Sequence, residues 1–144
     1  MEKSLHYLLM ADHLLFQKSL LSCIRDSGLT PGQPKVLDYL IDHDGSVQKD
    51  IAANCHIEPA TLTSVLLGME TKGLIVRKNK EGNRRSLYVF LTDKGRKTAE
   101  QVRKHFTEIE ARALEGFSKE DAENLSSLLA RLNNNMMKED DGNE

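Results

Sequence analysis

Small uncharged side chains recur at helical spacing between residues 59 and 68, and they are the groups best suited to a chemical role. They are Pro59, Ala60, Thr61, Thr63, Ser64 and Gly68. Threonine and serine hydroxyls donate and accept hydrogen bonds, and methyl groups contact thymine, so such a face suits close approach to base edges. The pattern therefore predicts a helix that reads DNA in a groove.

A basic segment follows at residues 78–86, with four basic residues and one acidic residue. Residues 74–77 and 87–91 on either side are rich in strand-forming side chains, which predicts a two-stranded hairpin with a basic loop. Such a wing reaches phosphates or the adjacent minor groove. We expect its DNA contacts to come from Lys78, Lys80, Asn83, Arg84 and Arg85.

Two short helices and a tight turn must position the reading face. Ser46 is the predicted cap of the first helix. The spacing of apolar residues in this helix predicts that Ile51 and Ala52 face inward. Gln48 and Lys49 are predicted to stay outside, where we expect them to contact DNA.

The second helix is marked at both ends. The turn at 54–57 places Ile57 as an apolar plug between the helices, and Pro59 starts the second helix because its missing N–H would have had no partner. Gly73 ends it in a left-handed conformation. The predicted buried stripe is Leu62, Val65, Leu66 and Met69.

Residues 46–95 together resemble the MarR-type winged-helix transcriptional regulators. The resemblance rests on the runs Pro-Ala-Thr-Leu-Thr (59–63), Gly-Leu-Ile (73–75), Asn-Arg-Arg (83–85) and Leu-Thr-Asp-Lys-Gly (91–95). Asn83 stands where such regulators usually carry aspartate, and by position Arg85 is the arginine that enters the minor groove. The resemblance also implies control by a small molecule bound between a helical platform and the DNA-binding lobes.

The first predicted helix, residues 2–25, carries two apolar stripes. One consists of Leu5, Leu8, Leu9, Phe16, Leu20 and Ile24, and the other of Tyr7, Met10, Leu14 and Leu21. One stripe suffices for a surface helix of a monomer, so two stripes predict that part of this helix meets a partner subunit.

The other helices are predicted from caps and spacing. A capping box at 30–33 opens a helix that buries Val36, Leu37, Leu40 and Ile41. Thr92 caps a long helix that Gly116 ends, and its seam is Ala99, Val102, Phe106, Ile109 and Ala113. Ser118 opens the last helix, whose seam is Leu125, Leu128, Leu129, Leu132 and Met136. Residues 133–135 and the acidic tail 139–144 are predicted to be frayed or disordered.

These elements predict a mainly α (α+β) fold, a winged helix-turn-helix in one domain spanning 1–144. The predicted DNA-binding lobe is 30–97, and 1–28 with 98–138 form the dimerisation platform. Two copies related by a two-fold axis would bind a pseudo-palindromic double-stranded DNA site. Repression is the expected outcome because it is the commoner one in the resembled family.

The distribution of charge along the chain favours the predicted binding of DNA. The whole chain has a net charge of −2, but residues 46–97 hold ten basic and five acidic groups and so carry +5. The local field decides where a polyanion docks. No apolar run is long enough to span a membrane and no signal pattern is present, so a cytoplasmic protein is expected.

Other functions have weaker patterns. There is no phosphate-binding loop, metal-ligand pair or nucleophile motif, so neither a catalytic residue, a cofactor nor a metal is predicted. Redox sensing through Cys23 stays open, although cysteine on an apolar face is usually core. A winged helix that binds only proteins also stays open, but it would favour a neutral wing and an apolar recognition face.

Overall fold

The computed structural model describes residues 2–80 and 82–142, without the side chains of residues 80, 83–85 and 142. Within these ranges it contains six helices and three strands, which confirms the predicted mainly helical fold with a winged helix-turn-helix. In chain order they are α1 (Leu5–Ile24), α2 (Gln33–Asp42), β1 (Ser46–Val47), α3 (Gln48–Cys55), α4 (Pro59–Thr71), β2 (Ile75–Lys80), β3 (Asn83–Leu91), α5 (Asp93–Ala113) and α6 (Lys119–Gly142).

By packing, the chain divides into two compact units, Met1–Ile109 and Glu110–Glu144. The core of the first unit is built from the stripes of α2, α3 and α4, the inner face of the sheet and the start of α5. Its fully buried side chains include Val36, Leu37, Leu40, Ile51, Leu62, Leu66, Met69, Ile75, Val89, Ala99 and Val102. Two predicted core residues, Ile41 and Val65, pack at its margin and are half-buried.

A third strand accompanies the predicted hairpin. β1 pairs with β3 in antiparallel register, Ser46 opposite Val89 and Val47 opposite Tyr88, so the strand order is β1-β3-β2. The prediction that Ser46 caps α3 is wrong, because its Oγ donates to the carbonyl of His43 at 2.6 Å. Pairing with a strand some forty positions away overrides the local capping preference.

The hairpin is longer than predicted. Its register runs from Ile75 opposite Leu91 to Lys80 opposite Asn83, with one irregularity beside Lys80. Most of the predicted basic loop is therefore strand. Gly82 has φ of 85°, the left-handed conformation that tight hairpin turns require, and this allows pairing to continue almost to the tip.

Two predicted helix ends also differ from the structure. α2 begins at Gln33 rather than at Pro31, although Gln33 Oε1 does accept from the Thr30 N–H at 3.2 Å, which is half of the predicted capping box. α6 continues to Gly142, so the prediction of disorder at 133–135 and 139–142 is wrong. Asparagine costs a helix only a fraction of a kcal/mol, about 0.7 at most, and strong helix formers flank this run. Residues 143 and 144 lie outside the described chain.

The caps predicted for α5 and α6 are confirmed. Thr92 Oγ1 accepts from the Gly95 N–H at 2.9 Å, and Ser118 Oγ accepts from the Asp121 N–H at 3.0 Å. Of the predicted α5 seam, Ala113 is exposed rather than buried. None of the described helices is long and apolar enough to cross a bilayer.

Arg103 ties α5 to α2. Its Nε donates to Asp38 at 3.0 Å and its Nη2 to Asp42 at 2.8 Å, and Nη2 also donates to the Asp38 carbonyl at 3.0 Å. The hydrogen bonds that Arg103 donates to Asp42 and, to a smaller extent, to Asp38 raise the pKa of Arg103, and the bond to Asp42 lowers the pKa of that carboxyl. This clamp fixes the long helix against the lobe that carries α3 and α4.

Candidate nucleic-acid interface

α4 presents the predicted reading face to solvent. Ala60, Thr61, Thr63 and Ser64 are all exposed, while Leu62, Leu66 and Met69 on the opposite side are buried. Pro59 occupies the first turn, as predicted. Burial of the apolar stripe thus determines which way the polar side chains point.

Gly68 does not belong to this open face. It is half-buried, and a Cβ at this position would lie 3.0 Å from Gln33 Nε2, so the glycine permits close packing of α4 on α2. Leu67, which the sequence analysis did not select, is exposed instead. Its i+7 spacing from Ala60 is the signal that would have placed it on the exposed side.

The turn between α3 and α4 is sharper than its sequence suggests. His56 has φ of 52° and ψ of 50°, a left-handed conformation that is uncommon outside glycine, although histidine adopts it more readily than most residues. The Ile57 N–H then donates to the Ala52 carbonyl at 3.0 Å, and Ile57 is buried as predicted. This turn sets the angle at which α4 leaves α3.

The C-terminal end of α4 is held by two lysines. Lys72 Nζ donates to the carbonyl of Gly28 and, at 2.9 Å, to Oε1 of Gln33, which is buried. Lys94 Nζ donates to the Lys72 carbonyl at 2.8 Å. Lys94 thus satisfies a free carbonyl and the negative dipole end at the C-terminus of α4, and Lys72 reaches across to Gly28 and Gln33, so α4 is anchored to α5 and to the α1–α2 turn.

Arg77 joins the wing to both helices of the pair. Its Nε donates to Glu70 of α4 at 2.8 Å, and its Nη1 donates to Oε1 of Gln48 at 3.5 Å. Gln48 is therefore half-buried, and the prediction that it stays outside is wrong. The bond to Arg77 lowers the pKa of Glu70, and the bond to Glu70 raises the pKa of Arg77. The pair neutralises the one carboxylate inside α4.

Replacing Arg77 with methionine should weaken DNA binding about fivefold, because one cation is lost and the carboxylate of Glu70, left unpaired on the predicted recognition helix, would repel DNA phosphates. Methionine keeps an apolar stem, so stability should change by only about 1 kcal/mol. Electrophoretic titration of the Arg77→Met variant and of an Arg77→Met/Glu70→Gln double variant measures this. The double variant should recover part of the lost affinity, and wild-type affinity in the single variant would refute the role.

The described part of the wing adds a basic, aromatic surface. Lys78 is exposed, and its Nζ lies 5.6 Å from the centre of the Phe90 ring. Lys49 of α3 is exposed as predicted. The side chains of Lys80, Asn83, Arg84 and Arg85 lie outside the described residues, so their proposed contacts stay predictions.

The cysteines pack as apolar residues. Burial raises the pKa of the Cys55 thiol, whose Sγ donates to the Lys35 carbonyl at 3.8 Å. Cys23 is half-buried against the cluster of Leu20, Ile24 and Ile109. Within the described ranges, no three His, Cys, Asp or Glu side chains are grouped so that they could hold a metal ion.

A groove of about 340 Å³ runs between α2, α3 and α5. It is lined by Asp38, Tyr39, Asp42, His43 and Arg103, among others. Its main charges are already paired in the Arg103 clamp, and Tyr39 stacks on His43 with ring centres 4.3 Å apart. The groove therefore offers few polar groups that still need a partner.

Comparison with known proteins gives a consistent result. The MarR family model matches residues 29–87. An organic hydroperoxide resistance transcriptional regulator of Bacillus subtilis (strain 168) is 30% identical over 132 residues, which cover 92% of this chain and 86% of that protein. The HTH-type transcriptional repressor MdtR of the same organism is 31% identical over 121 residues, covering 82% and 78%.

A solved structure of a transcriptional regulator is similar to this chain at about the same sequence identity as these relatives. The transcriptional repressor CouR, bound to a 23-mer DNA duplex, matches with a TM-score of 0.80 at 33% identity, covering 90% of this chain and 92% of that chain. The relatives are regulators and not enzymes, which confirms the expectation that this chain is no enzyme. The chain therefore belongs to the MarR family of winged helix-turn-helix transcriptional regulators, as its exposed α4, its helix-turn-helix, its wing and these relatives together indicate.

Proposed function

We propose that the chain is a homodimeric, cytoplasmic repressor that binds a pseudo-palindromic double-stranded DNA site through α4 and the wing. The observation that carries this proposal is the solvent exposure of a small, polar α4 face, and Lys49 and Lys78 are also exposed. Threonine and serine on such a face can read base edges, while the lysines neutralise phosphates. Repression is supported by the relatives MdtR and CouR, both described as repressors.

The dimer is supported by α1. One of its two predicted stripes packs inside the chain only at its C-terminal end, where Leu20 and Ile24 are buried. The other stripe is exposed along its whole length: Tyr7 49%, Met10 70%, Leu14 69% and Leu21 40%. Contiguous exposed apolar surface of this kind marks an interface.

α6 adds a second unmatched apolar surface. Its exposed side chains include Leu125, Leu128, Leu129, Met136 and Met137. We propose that residues 1–28 and 98–138 form the dimerisation region and that residues 30–97 form the DNA-binding lobe. A single recognition helix discriminates by only ~1–3 kcal/mol per contact, so two copies are needed for a specific site.

The proposal includes control by a small-molecule effector of unknown identity. A small molecule that binds dimers with one spacing of the two recognition helices more tightly than dimers with another would shift the population toward the first spacing. DNA affinity can then change by no more than the ratio of the ligand's affinities for the two spacings. Redox sensing by Cys23 has less support, because the thiol packs among Leu20, Ile24 and Ile109 as a small apolar side chain.

Selection from a random double-stranded DNA library, followed by titration at several salt concentrations, tests the proposal. A two-fold symmetric consensus is expected, with half-sites about one helical turn apart. The logarithm of affinity should fall with the logarithm of salt by about 0.9 per phosphate contact. If no consensus is recovered and affinity is insensitive to salt, the alternative of a protein-interaction module replaces the DNA-binding proposal.

A further inference from the structure

Leu67 is an exposed leucine on a face that is otherwise small and polar. Its side chain is 55% exposed, and between residues 25 and 74 it is the one large apolar side chain with such exposure. The stripes of α1 and α6 lie elsewhere in the chain, so the dimer surfaces proposed above do not account for it. An isolated exposed leucine is tolerated in many proteins, but this one lies on the helix proposed to enter the groove.

Helical geometry places Leu67 in line with the reading residues. Ala60, Ser64 and Leu67 have i, i+4 and i+7 spacing and therefore share a face of α4. At about 1.5 Å per residue, Leu67 lies about 10 Å along the helix from Ala60, a distance of about three base pairs. A helix lying in the major groove would bring Leu67 to base edges beyond those that Ala60 meets.

The backbone that carries Leu67 is fixed. Thr71 Oγ1 donates to the Leu67 carbonyl at 2.9 Å, and the flanking Leu66 and Gly68 pack into the lobe. A large side chain on a fixed backbone can discriminate between base pairs, because neither the helix nor the contact moves aside.

We propose that Leu67 reads the 5-methyl group of a thymine in the major groove and so sets specificity at one position of each half-site. This inference rests on the proposed DNA-reading role of α4. The thymine methyl is the apolar group that the major groove displays, and it is the partner that a leucine can contact favourably there. A protein partner fits less well, because the neighbours of Leu67 on this face, Ala60 and Ser64, would give such an interface no apolar core.

The test replaces each thymine of the selected consensus, one at a time, with deoxyuridine, which removes only the methyl group. At one position per half-site, wild-type affinity should fall about fourfold, the factor expected for one buried methyl group. The Leu67→Ala variant should bind thymine and deoxyuridine equally at that position. Leu67→Met is the conservative control and should still distinguish them.

Four other results are distinguishable. Equal sensitivity of wild type and Leu67→Ala to every deoxyuridine overturns the assignment, as does insensitivity of the wild type at every position. Uniform weakening of Leu67→Ala on all sequences, with no loss of thymine preference, also overturns it. Failure of the wild type to select any consensus would instead refute the proposed function, and urea unfolding of Leu67→Ala verifies that the variant is folded.

Discussion

Aspartate at both Met10 and Leu14 should convert the proposed dimer to a monomer and lower its affinity for the proposed palindromic site by about a hundredfold or more. These two side chains are 70% and 69% exposed in the single chain, so the substitutions should leave the fold of one subunit intact. Two buried charges from each subunit would destabilise a dimer interface strongly, because removing an unpaired charge from water has a large free-energy cost. Light scattering and electrophoretic titration on full and half sites measure the two effects.

The matched control is Ser22→Asp, which adds a charge to an exposed position of α1 away from the stripe. It should remain dimeric and bind the full site as the wild type does. A Met10→Asp/Leu14→Asp variant that stays dimeric would contradict the assignment of α1 to the interface. One that is monomeric and still binds the full site with wild-type affinity would contradict the need for two subunits.

Gly95→Ala should lower the free energy of unfolding by about 3 kcal/mol, although alanine is the better helix former by about 1 kcal/mol. A Cβ at this position would lie 1.8 Å from the carbonyl oxygen of Leu74, which is backbone and cannot rotate away. Relief would require the start of α5 to move away from Leu74, the residue just before β2.

Urea unfolding at equal protein concentration measures the effect, because the stability of the proposed dimer would depend on concentration. Gly68→Ala is the matched control: its Cβ would lie 3.0 Å from Nε2 of Gln33, the end of a side chain, so we expect a change within about 1 kcal/mol. Wild-type stability in Gly95→Ala would show that α5 does not pack on Leu74 as closely as described.

Much of the site was predictable because its signals are local. Pro59 and Gly73 bracket α4, and the spacing of Leu62, Leu66 and Met69 determines its buried side and hence its exposed one. The caps at Thr92 and Ser118 act within three residues of themselves. The exposure of Leu67 follows from the same periodicity, although its apolar side chain gave no sign of a DNA-reading role.

The features that only the tertiary structure decided depend on residues that are far apart in the chain. β1 forms because Ser46 and Val47 meet β3, and Gln48 turns inward because Arg77 lies beside it. Gly95 is needed because the backbone of Leu74 comes too close to leave room for a Cβ, whereas a Cβ at Gly68 would meet only the end of the Gln33 side chain. Periodicity and capping report the preferences of a few neighbouring residues, whereas strand pairing, ion pairing and close packing depend on which distant segments meet. The amino-acid order therefore determined the helices and the face available to DNA, and the packing determined how rigidly that face is held.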